Sequence, residues 1–163
     1  MRSEYRLGDL IEIKYGKDHK KLADGTIPVY GSGGIMRYAD DYLYDNESIL
    51  IPRKGTLNNI FYVTGKFWTV DTIFGSKINT DKVFGKFLYY YLTTMNFASM
   101  NVGSAVPSMT SKVLNEINIH VPSIDNQKKI AHILSTLDDK IELNCKMNQT
   151  LEEMAQTLLS LGL

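Results

Sequence analysis

"NQKKIAHILSTLDDKIELNCKMNQTLEEMAQTLLSL", residues Asn126–Leu161, contains neither glycine nor proline. Its apolar residues recur in alternating steps of four and three over about four heptads, which predicts one long helix with a coiled-coil seam. At ~1.5 Å per residue this helix is roughly 50 Å long. A globule of the preceding ~120 residues has a radius of gyration of only about 14 Å. We therefore expect most of the helix to project from the globule and to need a partner. The seam consists of Ile130, Leu134, Leu137, Ile141, Asn144, Asn148, Leu151, Ala155 and Leu158.

Two polar residues, Asn144 and Asn148, lie within this seam near the middle of the helix. A buried asparagine lowers the stability of a coiled coil but fixes its register and the number of its strands. The alternative is a helix that folds back over its own domain, and such a helix has less reason to carry two seam asparagines. The pattern favours a dimerisation or docking helix.

The composition is that of a globular protein without a strong charge. The chain has 163 residues, 44% of them apolar, with 18 basic and 18 acidic residues and a formal net charge of zero. This balance neither indicates nor excludes nucleic-acid binding, because local patches matter more than the sum. The single Cys145 fits a reducing compartment. The first ten residues lack the apolar core of a signal peptide, and no run approaches the ~20 apolar residues of a membrane span. We expect a cytoplasmic protein with no membrane partner.

Residues 1–122 have the pattern of an α+β domain with many short strands. Runs of β-branched and aromatic residues predict strands at Ser48–Pro52, Asn59–Thr64 and Ile117–Val121, and a short strand enters a glycine turn within Ile27–Gly34. Helices are predicted over Val83–Ser99 and Thr110–Ile117, the second with Thr110 or Ser111 as its N-cap. Pro122 ends the last strand, and Ser123 or Asp125 can cap the long helix that follows. The second region is therefore residues 123–163.

No convincing active site emerges from the sequence. The segment Gly31–Gly34 is not a nucleotide-binding glycine motif, and the three histidines lack the spacing of metal ligands. The "EIK" of Glu12–Lys14 has the acidic-x-Lys form of metal-dependent nucleases. Such a site also needs an acidic residue on a neighbouring strand, and Glu4 and Asp9 precede Glu12 too closely for that. The "DDK" of Asp138–Lys140 is better explained as the solvated face of a helix. We predict no catalytic residues, no metal and no cofactor.

Polar and basic residues gather instead at predicted loops after strands. Cations position a protein on phosphates, whereas asparagine, arginine, serine and threonine read base edges. Each loop alone is better explained as an ordinary solvated loop, but three such loops in a chain without catalytic groups together suggest a DNA-reading surface. The candidate contacts are Lys14, Lys17, Ser32, Arg37, Arg53, Lys54, Thr56, Asn58 and Asn59.

Nearly the whole chain resembles one half of the DNA-specificity subunit of type I restriction-modification systems. The resemblance starts at "RLGDLIEIKYGK" (Arg6–Lys17) and continues through "IPVYGSGGI" (Ile27–Ile35), "ILIPRKGT" (Ile49–Thr56) and "FWTVDTIF" (Phe67–Phe74). It is strongest over Gly103–Asn144, where the family closes a recognition domain and opens a coiled-coil helix. Asn126 stands before Gln127 where the family commonly has glutamate. These subunits usually contain the domain and the helix twice, whereas this chain contains each once.

The resemblance implies a fold and a set of partners. The fold would be α+β: a globular target recognition domain with a short-stranded mixed sheet and small helices, followed by one long C-terminal coiled-coil helix. A half-subunit would form a homodimer to supply two DNA readers. Methylation subunits would dock on the helix and carry the S-adenosylmethionine site, and restriction subunits would join through the complex. Double-stranded DNA would be the ligand.

Two other functions remain as alternatives to DNA reading. In the first, the domain presents its coiled coil to a protein partner and never touches DNA. In the second, Glu12 and Lys14 belong to a metal-dependent nuclease, which would cut DNA with magnesium alone.

Overall fold

The computed structural model describes residues 3–100 and 108–162. The chain separates into two compact units, Met1–Lys128 and Lys129–Leu163. Among the described residues, the first unit is an α+β structure with ten short strands and small helices, and the second consists of a long helix, so the predicted fold class is confirmed. Residues 103–107, which begin the strongest family resemblance, lie outside the described residues. No helix within the described ranges combines the length and apolarity needed to cross a bilayer.

The elements follow one another in an order that alternates short strands with small helices. The strands are β1 (Ser3–Arg6), β2 (Ile11–Tyr15), β3 (Asp24–Gly31), β4 (Gly34–Ala39), β5 (Tyr44–Asp45), β6 (Ser48–Pro52), β7 (Phe61–Val63), β8 (Lys66–Thr69), β9 (Ile73–Ile78) and β10 (Asn118–Val121). The helices are α1 (Leu7–Leu10), α2 (Gly85–Thr93), α3 (Ser111–Asn115) and α4 (Ile124–Ser160), with a 3₁₀ turn at Phe97–Met100 between α2 and α3.

The strands form three small sheets. β1 pairs antiparallel with β10, and a four-stranded antiparallel sheet has the order β2-β9-β6-β7. The third sheet has the order β4-β3-β8-β5 and is mixed, because β3 and β8 run parallel. One part of the core packs Leu50, Val63, Phe67 and Ile73 together, with the rings of Tyr30, Tyr44 and Phe61 against them.

β6 is buried along its whole length and depends on two serines for its pairing with β9. Toward the end of β6, Ile51 lies opposite Phe74 and Pro52 opposite Ile73. Near its start, Ser76 Oγ accepts the Ile49 N–H at 2.9 Å, and Ser48 Oγ accepts the Ser76 N–H at 2.9 Å. Both serines are buried. Because a buried N–H without an acceptor costs free energy, these hydroxyls allow the pair to stay buried where the ladder is interrupted.

The helix predicted over Val83–Ser99 is shorter than expected. α2 begins at Gly85, so this glycine is its first residue and not an interior one, and α2 ends at Thr93. The hydroxyls of Thr93 and Thr94 donate to the carbonyls three residues earlier, at 2.7 Å each. Such side-chain bonds compete with helical backbone bonds and favour a helix end.

The helix starts near the domain boundary follow the predicted capping residues. The Thr110 hydroxyl accepts the Val113 N–H at 3.2 Å, which makes Thr110 the N-cap of α3. The Ser123 carbonyl accepts the Gln127 N–H at 2.9 Å, so Ser123 precedes α4 and Asp125 lies in its first turn. The buried Gln127 amide accepts the Phe84 N–H and donates to the Pro122 carbonyl, both at 2.8 Å. These two bonds join the start of α4 to β10 and α2.

The second unit exposes a long row of apolar side chains. Ile141 is 60% exposed and Leu151 59% exposed, although both are large and aliphatic. Fully burying a leucine or isoleucine side chain stabilises a protein by roughly 1.5–3 kcal/mol. A monomeric helix that leaves these residues in water does not gain this stabilisation. The large apolar seam residues that are exposed are Ile130, Leu137, Ile141, Leu151 and Leu158.

Replacing Ser76 with alanine should lower the free energy of unfolding by about 1–3 kcal/mol, because the buried Ile49 N–H loses its acceptor. Urea denaturation followed by circular dichroism measures this change. Ser99→Ala, at an exposed serine, should change stability by no more than about 0.5 kcal/mol. If the two variants unfold at the same urea concentration, the buried hydroxyl has no special structural role.

Candidate functional site

The connection between β8 and β9 brings three separate segments together at the surface. The Thr72 carbonyl accepts the N–H groups of Arg53 and Lys54, at 2.8 and 3.2 Å. The Thr72 hydroxyl lies 3.3 Å from the Ser32 N–H and accepts a hydrogen bond from it. We call the surface formed by Tyr15, Ser32, Arg53, Lys54, Asp71 and Thr72 the Thr72 cluster. Three of the predicted DNA contacts, Ser32, Arg53 and Lys54, are therefore neighbours.

The segment after β6 is held against the turn between β3 and β4. Asn59 Nδ2 donates to the Ser32 carbonyl at 3.0 Å, and the Asn59 N–H donates to the Thr56 carbonyl at 3.2 Å. Gly55 has a φ of +84°, which side chains other than glycine rarely adopt. A Cβ at this position would lie 3.2 Å from Ser32 Oγ. The close approach of the two loops is therefore possible because residue 55 is glycine.

Both predicted asparagine readers make bonds within the protein. Asn58 Nδ2 donates to Asn96 Oδ1 at 3.4 Å, and Asn58 Oδ1 accepts the Ala98 N–H at 3.0 Å. The side-chain amide of Asn59 donates its hydrogen bond to the Ser32 carbonyl. Thr56 is exposed, without a side-chain hydrogen bond among the described residues. The amides therefore fix the loop on which Thr56 is presented.

The Arg53 side chain lies over two aromatic rings. Its guanidinium carbon is 5.6 Å from the Tyr15 ring centroid and 5.9 Å from that of Phe74, within the range of cation–π attraction. Nη1 of the same guanidinium donates to the Asp71 carbonyl at 3.4 Å. The Asp71 carboxylate is 3.8 Å from Lys54 Nζ. The cluster thus presents two cations and one carboxylate on a common surface.

Tyr15 is an exposed aromatic residue that the sequence-based choice of contacts missed. Its side chain is 53% exposed, its ring meets Phe74 edge-on at 5.2 Å between centroids, and its hydroxyl is 2.9 Å from Ser111 Oγ. A tyrosine between lysines in "IKYGK" was the available signal. Successive residues of a strand point to opposite faces, and this alternation separates Tyr15 from its neighbour Lys14.

The other predicted cations have partners of their own or stand in water. Lys14 pairs with Glu12, and its hydrogen bond and charge lower the pKa of the Glu12 carboxyl. Arg37 donates to Asp24 Oδ1 at 2.7 Å and to the Leu22 carbonyl at 3.2 Å. Lys17 is exposed. Among the described residues, no hydrogen bond or ion pair joins these three side chains to the Thr72 cluster.

Glu4 and Glu12, which were weighed for nuclease chemistry, lie in two different sheets. The expectation that Glu4 is too close to Glu12 for a separate strand was wrong, because the four-residue α1 separates β1 from β2. Glu4 lies beside His120 of β10, with 3.9 Å between the carboxylate and the imidazole. Within the part of the chain that the structure describes, no three His, Cys, Asp or Glu side chains are grouped to hold a metal ion.

Comparison with protein families gives a match along nearly the whole chain. Residues 3–153 match the model of the type I restriction modification DNA specificity domain. The chain belongs to this family. The family resemblance carried by the sequence motifs is thereby confirmed, including the entry segment at Arg6 and the junction with the long helix.

Individual relatives agree with this membership. A type I restriction enzyme specificity subunit of Haemophilus influenzae is 33% identical over 120 residues, which are 69% of this chain and 30% of that protein. The EcoprrI specificity subunit of Escherichia coli is 27% identical over 165 residues, covering 88% of this chain and 40% of that protein. The crystal structure of the type I restriction-modification S subunit from M. genitalium matches with a TM-score of 0.78 and 25% identity, over 97% of this chain and 44% of that one.

This specificity-domain chain spans less than half the length of each of these three proteins. The relatives are named specificity subunits, in agreement with the prediction that this chain is not an enzyme.

Gly55→Ala should lower the free energy of unfolding by about 1 kcal/mol or more, because alanine must adopt a positive φ beside Ser32. The matched control is Gly33→Ala in the adjacent turn, where a Cβ would meet nothing within 4 Å. Thermal unfolding of both variants measures the difference. Equal melting temperatures would contradict the close packing of the two loops.

Proposed function

We propose that this chain is the DNA-reading specificity subunit of a type I restriction-modification complex, acting in the cytoplasm without a catalytic centre or cofactor of its own. The family match over residues 3–153 carries this proposal. Residues 1–122 serve as the target recognition domain and residues 123–163 as the dimerisation and spacer helix. Methyl transfer and cleavage belong to methylation and restriction subunits, with the methylation subunits docked on the helix.

The Thr72 cluster supports a DNA-facing role for one edge of the first unit. Arginine and lysine side chains supply most phosphate contacts, and arginine also reads guanine. Arg53 and Lys54 stand together there, with the exposed Thr56 on the same loop. Lys14, Lys17 and Arg37 are proposed contacts outside the cluster, and Asn58 and Asn59 remain candidate readers in spite of their bonds within the loop.

The exposed seam of α4 supports a homodimer. The proposed contact between the two helices consists of Ile130, Leu134, Leu137, Ile141, Asn144, Asn148, Leu151, Ala155 and Leu158. Asn144 and Asn148 lie just C-terminal of the middle of α4. In an antiparallel pair, Asn144 of one helix can lie beside Asn148 of the other near the two-fold axis, so that their amides satisfy each other. The asparagines alone do not decide the direction, because a parallel pair also places asparagine beside asparagine. The antiparallel direction is proposed from the family resemblance. The antiparallel arrangement places the two DNA-reading domains at opposite ends of the helix pair.

Two identical readers related by a two-fold axis recognise identical half-sites in inverted orientation. The 37 residues of α4 span roughly 55 Å at ~1.5 Å per residue. With ~3.4 Å of rise per base pair, this length separates the readers by about one to one and a half turns of DNA. The proposed target is therefore an interrupted palindrome with a few unread base pairs between its arms.

Methylome sequencing of cells that carry the gene together with its methylation subunit tests the target. We expect a methylated motif with two inverted arms and an unread gap between them. Cells with the methylation subunit alone are the control and should lack the motif. An asymmetric or uninterrupted motif would contradict the symmetric dimer.

Affinity for duplex DNA at two salt concentrations separates DNA reading from a pure protein-interaction function. A DNA reader should bind more weakly at higher salt, because counterions released from phosphates drive binding. Neutralising Lys14, Lys17, Arg37, Arg53 and Lys54 together should weaken binding on every sequence and flatten this dependence. Neutralising Lys140 and Lys146 on α4 is the control. Unchanged affinity in the five-residue variant would mean that another surface meets DNA.

Leu137→Lys combined with Ile141→Lys should convert the dimer to monomers, because two charges would be buried without partners. Asp139→Lys combined with Gln149→Lys adds lysines away from the seam and should leave the dimer intact. Light scattering at tens of micromolar, a concentration on the order of the Kd of a weak interface, measures both. A monomeric unmodified protein would refute the dimer.

A further inference from the structure

Arg53 is held more firmly than its surface position requires. Its N–H donates to the Thr72 carbonyl at 2.8 Å, and its carbonyl accepts the Met109 N–H at 2.8 Å. Its guanidinium lies over the rings of Tyr15 and Phe74 and donates one bond to the Asp71 carbonyl. A guanidinium has five N–H donors in a fixed plane. Among the described residues, that single bond is the only one its side chain makes, so the held plane keeps donors for a ligand.

The held plane suits a pair of acceptors on a base edge. Asp71 is bonded to Arg53 through its carbonyl, and its carboxylate lies 3.8 Å from Lys54 Nζ. This carboxylate therefore has Lys54 as its partner, and among the described residues it makes no ion pair with the guanidinium. The Hoogsteen edge of guanine carries two acceptors, O6 and N7, without a net charge, and their spacing suits two parallel guanidinium donors.

Tyr15 is fixed in the orientation that supports this plane. Its ring meets Phe74 at an interplanar angle of 87°, and its hydroxyl is 2.9 Å from Ser111 Oγ. Ser111 is the first residue of α3 and lies two positions after Met109, which binds the Arg53 backbone. The same segment therefore holds the backbone of Arg53 and the ring beneath its side chain.

We propose that Arg53 reads a guanine in each arm of the DNA target and that Tyr15 is the positioning residue that holds its guanidinium for this contact. The inference rests on the proposed DNA-reading function and adds the base class and the residue that orients its reader. Tyr15 acts through Arg53 and has no base contact of its own.

Selection of duplexes from a randomised library by the full chain in complex with its methylation subunit tests the assignment. Arg53→Lys keeps the charge and loses the planar fork, so the preference for guanine at one position per arm should fall by about 5- to 150-fold. Tyr15→Leu should weaken the same preference at the same position by about 2- to 30-fold, with the salt dependence unchanged. Tyr15→Phe keeps the ring and should retain most of the preference.

Tyr42→Leu is the matched control, because Tyr42 is 41% exposed and carries Lys66 Nζ 4.6 Å from its ring centroid. It should leave the motif unchanged. Thermal unfolding of each variant establishes that it is folded, and Arg53→Lys still tests the assignment of the guanine contact if Tyr15→Leu does not fold.

Three results would overturn the inference. Arg53→Lys or Tyr15→Leu could leave every position of the motif unchanged, or the two could alter different positions. Arg53→Gln could weaken binding equally on all sequences and flatten the salt dependence, which is the behaviour of a phosphate contact. If the unmodified complex selects no motif at all, the proposed DNA-reading function fails together with the inference, whereas an unaltered motif in the variants refutes the inference alone.

Discussion

The buried pairing of β6 with β9 is the constraint on which the candidate site depends. β6 has no exposed residue, so each of its backbone donors needs a partner inside the protein. Ser48 and Ser76 supply hydroxyl acceptors where the ladder does not, and Pro52 ends the strand with a residue that has no N–H to satisfy. The register that results places Pro52 opposite Ile73. Arg53 consequently emerges beside Thr72, whose carbonyl binds it.

The site is thus assembled from strand ends that the register of β6 and β9 aligns, although these ends are far apart in the sequence. Residues 53 and 54 leave β6 where residues 71 and 72 enter β9, and Ser32 approaches through the Thr72 hydroxyl. The bonds from Arg53 and Lys54 to Thr72 join backbone groups, so this part of the arrangement does not depend on the identities of the exposed side chains. Those exposed side chains can vary on one backbone, because functional residues on loops are positioned by a rigid scaffold.

The sequence predicted the elements better than their partners. β6, the N-cap at Thr110 and α4 follow from local patterns, and all are present. The partners of Arg37 and Asn58 depend on which strands and loops lie adjacent, and local patterns contain no such information. Arg37 was chosen for its charge, but β3 brings Asp24 beside it. Tyr15 was not chosen because the sequence does not distinguish an exposed tyrosine from a buried one. Its role follows from its contacts with Phe74, Arg53 and Ser111 in the structure.

The seam asparagines make physical sense if the helix measures a distance. In the proposed antiparallel dimer, a slip by one heptad would move the readers by roughly 10 Å, or about three base pairs. A purely aliphatic seam would tolerate such a slip at small cost, since one leucine layer resembles the next. Asn144 and Asn148 would then face apolar side chains and lose their amide partners, and a buried unsatisfied amide costs about 1–3 kcal/mol. The same two residues that weaken the dimer would therefore keep the spacing between half-sites constant.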